Sequence, residues 1–231
     1  MELFARSLLS CGWAAGLLAV TIAVAAPTSP AGTTDSLPRA KSSIATQNMS
    51  DDVRRILRWV KSTRDNGDAP FILIDKRRTH LWLFDPAGEL IGQTAVLLGL
   101  AKGDVSVPGI GEREIAKIRP HERTTPAGRF ILEAGYNARG EDIFWVDYDA
   151  AVSMHRVRAP NHAERRLQRL ASSTPADNRI SYGCINVPSA FYDTYLRTLF
   201  WARPGVAYLL PDTLALDKVF NMPVNNMPAS P

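Results

Sequence analysis

The chain opens on an apolar run that lacks the polar and apolar alternation of a folded domain. Residues 8–24 contain no charged side chain, follow the single basic residue Arg6 and lead into the small residues 23–25. This order is typical of a secretory signal, which we expect to be cleaved after Ala25. A retained membrane anchor is the alternative, because the run approaches the roughly 18 to 20 residues that span a bilayer. The chain is therefore expected to be exported, to the periplasm or the cell envelope.

After residue 25 the pattern changes twice before a domain begins. Residues 26–49 are rich in Pro, Ser, Thr, Ala and Gly without a hydrophobic period, which predicts a flexible linker. In residues 50–67, Ser50 precedes two aspartates and apolar residues that recur at helical spacing. This pattern predicts a helix that is N-capped by Ser50 and packed on the domain. Residues 213–231 are predicted to form a C-terminal tail.

Residues 68–212 have the short apolar runs, separated by turn residues, of a mainly β domain. Strand-like runs cover residues 71–75, 80–84, 93–98, 129–133, 143–147, 151–156 and 206–210. Residues 99–120 read as a long loop, and short helices are predicted at residues 161–170 and 188–200. The sequence thus predicts a mainly β fold with a few short helices, arranged as a β-sandwich or barrel-like domain with a mostly antiparallel or mixed sheet.

The net charge and the histidines argue against nucleic acid and metal as partners. The chain has 27 Lys and Arg against 23 Asp and Glu, a net charge of +4, and no nucleic-acid motif accompanies this small bias. The four histidines are scattered, without His-Glu-x-x-His or paired-cysteine spacing, so we predict neither a metal site nor a cofactor. After the signal, the length suits one domain with an adequate core.

Cys184 is the only cysteine left once the signal that contains Cys11 is removed. An unpaired thiol in an exported chain is inert and buried, joined to another molecule, or reactive. As a nucleophile it needs a base or a positive environment to form the thiolate. His155 is the best placed histidine, because it lies near the end of the strand-like run 151–156, and strand ends hold side chains rigidly in a cleft. A structural histidine is the alternative, and spacing alone does not decide between the two.

Gly183, directly before the candidate nucleophile, favours a catalytic turn. Glycine permits tight backbone geometry and close approach of a substrate. We expect the amide N–H groups of Gly183 and Cys184 to form an oxyanion hole for a tetrahedral intermediate.

Three segments carry a resemblance to a known family. Residues 181–186, Ser-Tyr-Gly-Cys-Ile-Asn, resemble a signature of Ser or Thr, His, Gly, Cys, an apolar residue, then Asn or Arg. Met154-His155 is similar to an upstream catalytic histidine, and residues 125–130 are similar to a Thr-Pro-x-Gly-x-Phe turn and strand. The family is that of the L,D-transpeptidases of the YkuD type. The resemblance implies the YkuD β fold, Cys184 as nucleophile, His155 as base, no cofactor, and peptidoglycan stem peptides as substrates.

The resemblance also implies substrate contacts around the nucleophile. We expect Ser181, Tyr182 and Asn186 to line the substrate site. Arg179, just before them, is the residue expected to grip a carboxylate of the stem peptide through its guanidinium. Three other arginines of the same region are interpreted as a solvated helix face: Arg165, Arg166 and Arg169.

Two departures from the family pattern bear on activity. Tyr182 stands where the family most often has a second histidine, and with an ordinary pKa of about 10 a tyrosine is no base at neutral pH. Residues 156–180 exceed the usual gap, which implies an inserted loop or helix over the site and a change in substrate choice.

The function expected from these features is two-step acyl transfer. Cys184 attacks the L-to-D bond of a stem tetrapeptide, D-alanine leaves, and an amine or water takes the acyl group, which gives a crosslink or an L,D-carboxypeptidase product. A different Cys/His peptidase or amidase is one alternative, although the NlpC/P60 kind usually places Cys before His. A non-catalytic cell-envelope binding module is the other. The acceptor amine, the oligomeric state and anchoring through an uncleaved N-terminus stay open.

Overall fold

The computed structural model describes residues 48–222. The predicted signal, nearly all of the predicted linker and residues 223–231 of the predicted tail lie outside this range. No helix within residues 48–222 combines the length and the apolar character needed to cross a membrane.

The described part of the chain is built mainly from strands. These are β1 (Phe71–Asp75), β2 (His80–Phe84), β3 (Leu90–Ala95), β4 (Leu98–Gly99), β5 (Gly128–Tyr136), β6 (Asp142–Asp147), β7 (Val152–Arg156), β8 (Arg179–Ser181), β9 (Ile185–Val187) and β10 (Gly205–Leu210). The α-helices are α1 (Asp51–Thr63), α2 (Arg166–Leu170), α3 (Ser189–Phe191), α4 (Arg197–Phe200) and α5 (Leu216–Val219), and a π-helical turn, Tyr192–Leu196, joins α3 to α4. Short 3-10 turns lie at Ile110–Glu112, Ile115–Lys117, Pro120–Glu122, His162–Glu164 and Pro175–Asn178.

Eight of the strands form one mixed sheet in the order β3-β2-β1-β10-β5-β6-β7-β9. The β1–β10 and β7–β9 pairs are parallel, and the other pairs are antiparallel. The two ends of the sheet meet where Leu97 and Asn186 exchange two backbone hydrogen bonds of 2.9 Å. This nearly closed sheet with few short helices confirms the predicted mainly β domain.

Two apolar cores lie on opposite faces of the sheet, and β1 contributes to both. Ile72 and Ile74 belong to one core, whereas Phe71 and Leu73 belong to the other. Because side chains alternate along a strand, a strand buried on both faces reads as a continuous apolar run, as residues 71–74 of β1 do.

Helix α1 covers the second core. Ser50 caps this helix, since its Oγ accepts a hydrogen bond from the Val53 amide at 3.3 Å. The same hydroxyl donates to Asp75 at the end of β1, at 2.6 Å. The buried face of α1 consists of Val53, Ile56 and Val60, and burial of such side chains contributes about 1.5 to 3 kcal/mol each. The cap therefore sets both where the helix begins and where it meets the sheet.

The helical segment after β9 differs from the single helix predicted at residues 188–200. Its middle turn is π-helical, and it packs the buried side chains of Phe191, Tyr192, Leu196 and Phe200 into the first core. The pattern of apolar residues predicts a helix but carries no signal for the extra residue in this turn.

Candidate active site

His155 and Cys184 come together because β7 and β9 pair in parallel. In this register Met154 lies opposite Ile185, and His155 lies opposite Asn186. Met154 and Ile185 are fully buried in the first core, so their neighbours in sequence point to the other face of the sheet. Ser153 on that face places its Oγ 3.6 Å from the Cys184 Sγ. Two short strands therefore bring to one face two residues that are 29 positions apart in sequence.

The turn before Cys184 is held by three side-chain hydrogen bonds. The Ser181 hydroxyl donates to the Cys184 carbonyl at 2.6 Å and accepts from the Gly183 amide at 3.1 Å. The Thr125 hydroxyl donates to the Gly183 carbonyl at 2.7 Å. Ser181 and Thr125 are both buried, so these bonds are not exposed to competition from solvent. Ser181 thus holds the turn in place, and it also lines the cleft beside Cys184.

Gly183 adopts a backbone conformation that other residues rarely take. Its φ is +131°, and a Cβ added there would lie 2.9 Å from the carbonyl oxygen of Thr124. The prediction of a tight turn that requires glycine therefore agrees with the geometry. The expected role of its amide in an oxyanion hole does not, because that N–H already donates to Ser181. The prediction of an oxyanion hole then rests on the amide of Cys184.

The His155 ring is oriented by the main chain. Its Nδ1 lies 2.7 Å from the carbonyl oxygen of Arg156. Because a carbonyl can only accept, Nδ1 carries a proton and Nε2 is left to exchange a proton with the thiol. The protein itself thus selects the tautomer that a general base at Cys184 requires.

The thiol and the imidazole shift each other's pKa. Burial raises the pKa of Cys184, but the interaction with the His155 imidazole and its charge, helped by Ser153, more than offset it, and the pKa lies below its ordinary value. Burial lowers the pKa of His155, but the contact with Cys184 and the Arg156 carbonyl outweigh it, so this pKa is raised. Both shifts favour the thiolate–imidazolium pair, which is the reactive state of a cysteine nucleophile.

An open cleft of about 390 Å³ gives access to the sulfur. Among the residues that line it are His155, Ser181, Tyr182, Cys184 and Asn186. Cys184 is half-buried, so it faces this space and is not sealed in the core. A free thiol, a base and an open cleft together meet the requirements of nucleophilic catalysis.

Tyr182 and Asn186 contact the cleft in different ways. Tyr182 is 36% exposed, and the guanidinium of Arg123 lies 3.9 Å from the centre of its ring, which makes a cation–π wall. Asn186 is 1% exposed, and its amide group accepts from Arg166 and donates to the Cys184 carbonyl at 3.3 Å. Tyr182 is thus available to a ligand, whereas Asn186 mainly braces the nucleophile.

Arg166 belongs to the site, although the sequence pattern places it on a solvated helix face. Its side chain is only 13% exposed, lines the cleft and donates to Asn186 at 2.8 Å and to Glu164 at 2.5 Å. Helix α2, which lies between β7 and the nucleophile in the sequence, carries it there. No spacing signal separates Arg166 from Arg165 and Arg169 in the sequence, so only the folded arrangement identifies it.

Arg179 lies elsewhere. Its side chain is 6% exposed and donates to Asp212 and to the Lys76 carbonyl, both at 2.6 Å. Lys76, fully buried, in turn donates to Asp104 at 2.9 Å and to the Thr125 carbonyl at 2.8 Å. Arg179 is not among the residues that line the cleft. The interpretation of Arg179 as a substrate contact is therefore corrected: it is part of a buried ionic network beneath the turn.

Comparisons with known proteins give structural neighbours only. No protein-family model matches the chain, and no curated protein matches it. Among solved structures, it is similar to the catalytic domain of an E. faecium L,D-transpeptidase, with 19% identity, a TM-score of 0.35, and coverage of 62% of this chain and 98% of that one. For an L,D-transpeptidase (Yku) from Stackebrandtia nassauensis the identity is 13%, the TM-score 0.37, and the coverage 69% and 64%.

A third similar structure is the helical cell shape determining protein Pgp2 from Campylobacter jejuni, with 14% identity, a TM-score of 0.41, and coverage of 67% of this chain and 55% of that one. The chain thus spans less than two thirds of the length of two of these three proteins. The solved structures that this chain resembles include catalytic domains of L,D-transpeptidases.

Proposed function

We propose that the chain is a peptidoglycan L,D-transpeptidase that works through an acyl-enzyme on Cys184. The observation that carries the proposal is the oriented pair of His155 and Cys184 at the base of an open cleft, with the thiol pKa lowered and the imidazole pKa raised. The similarity to solved L,D-transpeptidases and the sequence motifs support the same reaction class.

In the first step His155 Nε2 takes the proton of the Cys184 thiol. The thiolate attacks the carbonyl carbon between the third stem residue and D-alanine, and the Cys184 amide stabilises the oxyanion that forms. As the intermediate collapses, the C–N bond breaks, the leaving amine of D-alanine takes the proton from His155, and a thioester remains on Cys184. The Arg156 carbonyl holds the imidazole in place throughout.

In the second step an acceptor amine attacks the thioester carbonyl while His155 takes its proton. Collapse of this intermediate breaks the C–S bond, and the proton returns to the sulfur. The product is a peptide crosslink. Water in place of the amine gives a free carboxylic acid, which is the L,D-carboxypeptidase reaction.

The proposal extends to the organisation of the whole chain. Residues 1–25 direct export, residues 26–49 link the signal or anchor to the domain, and residues 68–212 form the catalytic domain. The substrate then lies in the cell envelope, and the amine acceptor belongs to a neighbouring stem peptide.

Intact-mass measurement after incubation with a carbapenem tests the nucleophile. We expect a drug adduct on the wild type, none on Cys184→Ala, and a rate of adduct formation about 10²- to 10⁴-fold lower on His155→Ala, the range typical of a lost general base. A folded wild type without an adduct would favour the non-catalytic binding module. Incubation with a stem tetrapeptide, with and without an added amine, then separates crosslinking from hydrolysis.

A further inference from the structure

We propose that Arg139 and Arg158 form a carboxylate-binding site in the cleft, which holds a free carboxylate of the acyl donor. This inference rests on the proposed function, because it names a chemical feature that the same cleft requires of its donor. It also reassigns the role that the sequence suggested for Arg179.

Arg139 lies at the tip of the hairpin that joins β5 to β6. The Asn137 side chain fixes this tip by accepting hydrogen bonds from the backbone amides of Arg139 at 2.8 Å and Glu141 at 3.1 Å. Gly140 completes the turn at a φ of +76°. Asn137 and Arg139 both line the cleft. Within residues 48–222, no carboxylate lies within ion-pair distance of the Arg139 guanidinium.

Arg158 approaches the same space from the segment after β7, three residues beyond His155. It lines the cleft and pairs with Glu141, but Glu141 faces the neighbouring pocket and not the cleft. Burial lowers the pKa of Arg158, and repulsion by the positive charge of Arg139 lowers it further. An anion between them relieves that repulsion.

The charge lining the cleft is of one sign. Arg139, Arg158 and Arg166 line it, and no aspartate or glutamate of the described residues does. Arg166 already donates to Glu164 and Asn186, so its donors are largely used within the protein. A carboxylate accepts in bidentate fashion from guanidinium groups. Arg139 has no ion-pair partner among residues 48–222, and Arg158 pairs with Glu141 through one nitrogen only, so both keep donors that can reach a ligand in the cleft.

A stem tetrapeptide offers two sources of such a carboxylate, the terminal D-alanine and the side chains. Isothermal titration calorimetry with Cys184→Ala as the host distinguishes them with three probes: the parent tetrapeptide, its C-terminal carboxamide, and a form whose side-chain carboxylates are carboxamides. We expect one of the two carboxamides to bind about 10- to 100-fold more weakly than the parent, the range for a lost charge-assisted hydrogen bond. The carboxamide that binds more weakly than the parent identifies which carboxylate of the tetrapeptide occupies the site.

Charge-neutral variants in the same host assign the effect to residues. Arg139→Gln and Arg158→Gln should each bind the parent peptide about 10-fold more weakly or worse, and the difference between parent and carboxamide should shrink to within about twofold. Arg58→Gln, at an exposed position of α1 away from the cleft, removes the same charge and should leave all affinities unchanged. Arg139 is exposed and makes no ion pair in residues 48–222, so its variant is expected to keep the fold.

Equal affinity for the three peptides, or a difference that persists in both arginine variants, would overturn the inference. So would the absence of measurable binding for all three peptides. None of these results bears on acyl-enzyme formation by the wild type, which tests the proposed function separately. Conversely, if the wild type forms no acyl-enzyme, the calorimetric comparison can still be interpreted, because the Cys184→Ala host lacks the nucleophile.

Discussion

The hydroxyl of Thr125 donates a hydrogen bond of 2.7 Å to the carbonyl oxygen of Gly183. The same hydroxyl accepts one of 2.9 Å from the amide of Gly99 in β4, and the side chain is fully buried. One threonine therefore ties the turn before the nucleophile to a strand from the first half of the domain. The Thr-Pro segment seen in the sequence thus supports the cysteine motif through a direct contact.

Replacing this hydroxyl by a methyl group should weaken both the fold and the site. Thr125→Val keeps the shape but leaves the Gly183 carbonyl and the Gly99 amide without their partner, at a cost of about 1 to 3 kcal/mol in the free energy of unfolding. Urea unfolding and the rate of Cys184 alkylation by iodoacetamide measure the two effects. Thr94→Val in β3 is the control, since that hydroxyl bonds only the adjacent Ala95 carbonyl, at 3.3 Å. Equal results for the two variants would contradict the proposed coupling.

Gly183 should tolerate no side chain. Gly183→Ala combines an unfavourable φ of +131° with a contact of 2.9 Å to the Thr124 carbonyl. Gly140→Ala is the matched control, because Gly140 also has a positive φ, +76°, but an added Cβ there would lie in open space. We expect about 1 to 2 kcal/mol of destabilisation at Gly140 and a larger loss, with displaced Cys184, at Gly183. Thermal unfolding and alkylation rates compare the pair, and a milder effect at Gly183 would refute the account of the turn.

The reactivity of Cys184 should extend to lower pH than that of an ordinary thiol. A lowered thiol pKa means that the thiolate persists as the pH falls, until the pH passes the pKa in the folded protein. In His155→Ala only the effect of burial and the Ser153 contacts remain, so the curve of iodoacetamide rate against pH should move to higher pH. A curve that is unchanged by this substitution would show that His155 does not act on the thiol.

The buried network beneath the turn should matter more to stability than an exposed ion pair. Lys76→Met leaves Asp104 without an ion-pair partner among the described residues, and leaves Asp212 with Arg179 alone. Removal of one partner from a buried ionic group costs about 3 to 5 kcal/mol. Lys61→Met breaks the exposed pair with Glu89 and should cost at most about 1 kcal/mol. Urea denaturation measures both, and equal losses would argue against the network's role.

The sequence predicts the strands whose apolar residues form a regular pattern. It misses the short strands that can be recognised only by the strands they pair with. β1 is recognised because its first four residues form an uninterrupted apolar run, and all five of its residues are buried in the structure. β8 and β9 are not, because each has three residues, too few to show a period, and they flank a motif whose residues are chosen for chemistry. The two strands on either side of the nucleophile are therefore the ones that the sequence does not predict.

At the candidate site, too, the sequence predicts some residues and misses others. The motifs single out Cys184 and His155, and parallel pairing of β7 and β9 places them on one face. Because Arg179 is closer than Arg166 to Cys184 in the sequence, nearness favours Arg179 as a substrate contact. In the structure, however, the Arg179 side chain lies in a buried ionic network, whereas Arg166 in α2 lines the cleft. Which arginine faces a ligand depends on long-range packing, and periodicity contains no information about it.

The meeting of Leu97 with Asn186 has a further consequence for how the protein behaves at high concentration. An exposed strand edge is a template on which other molecules can add strands. Here the N–H and C=O of both residues are already paired with each other, so at this point the strand next to the nucleophile offers no free backbone groups for edge-to-edge aggregation. The same contact that completes the sheet thus helps to keep the thiol-bearing edge from associating with other copies of the chain.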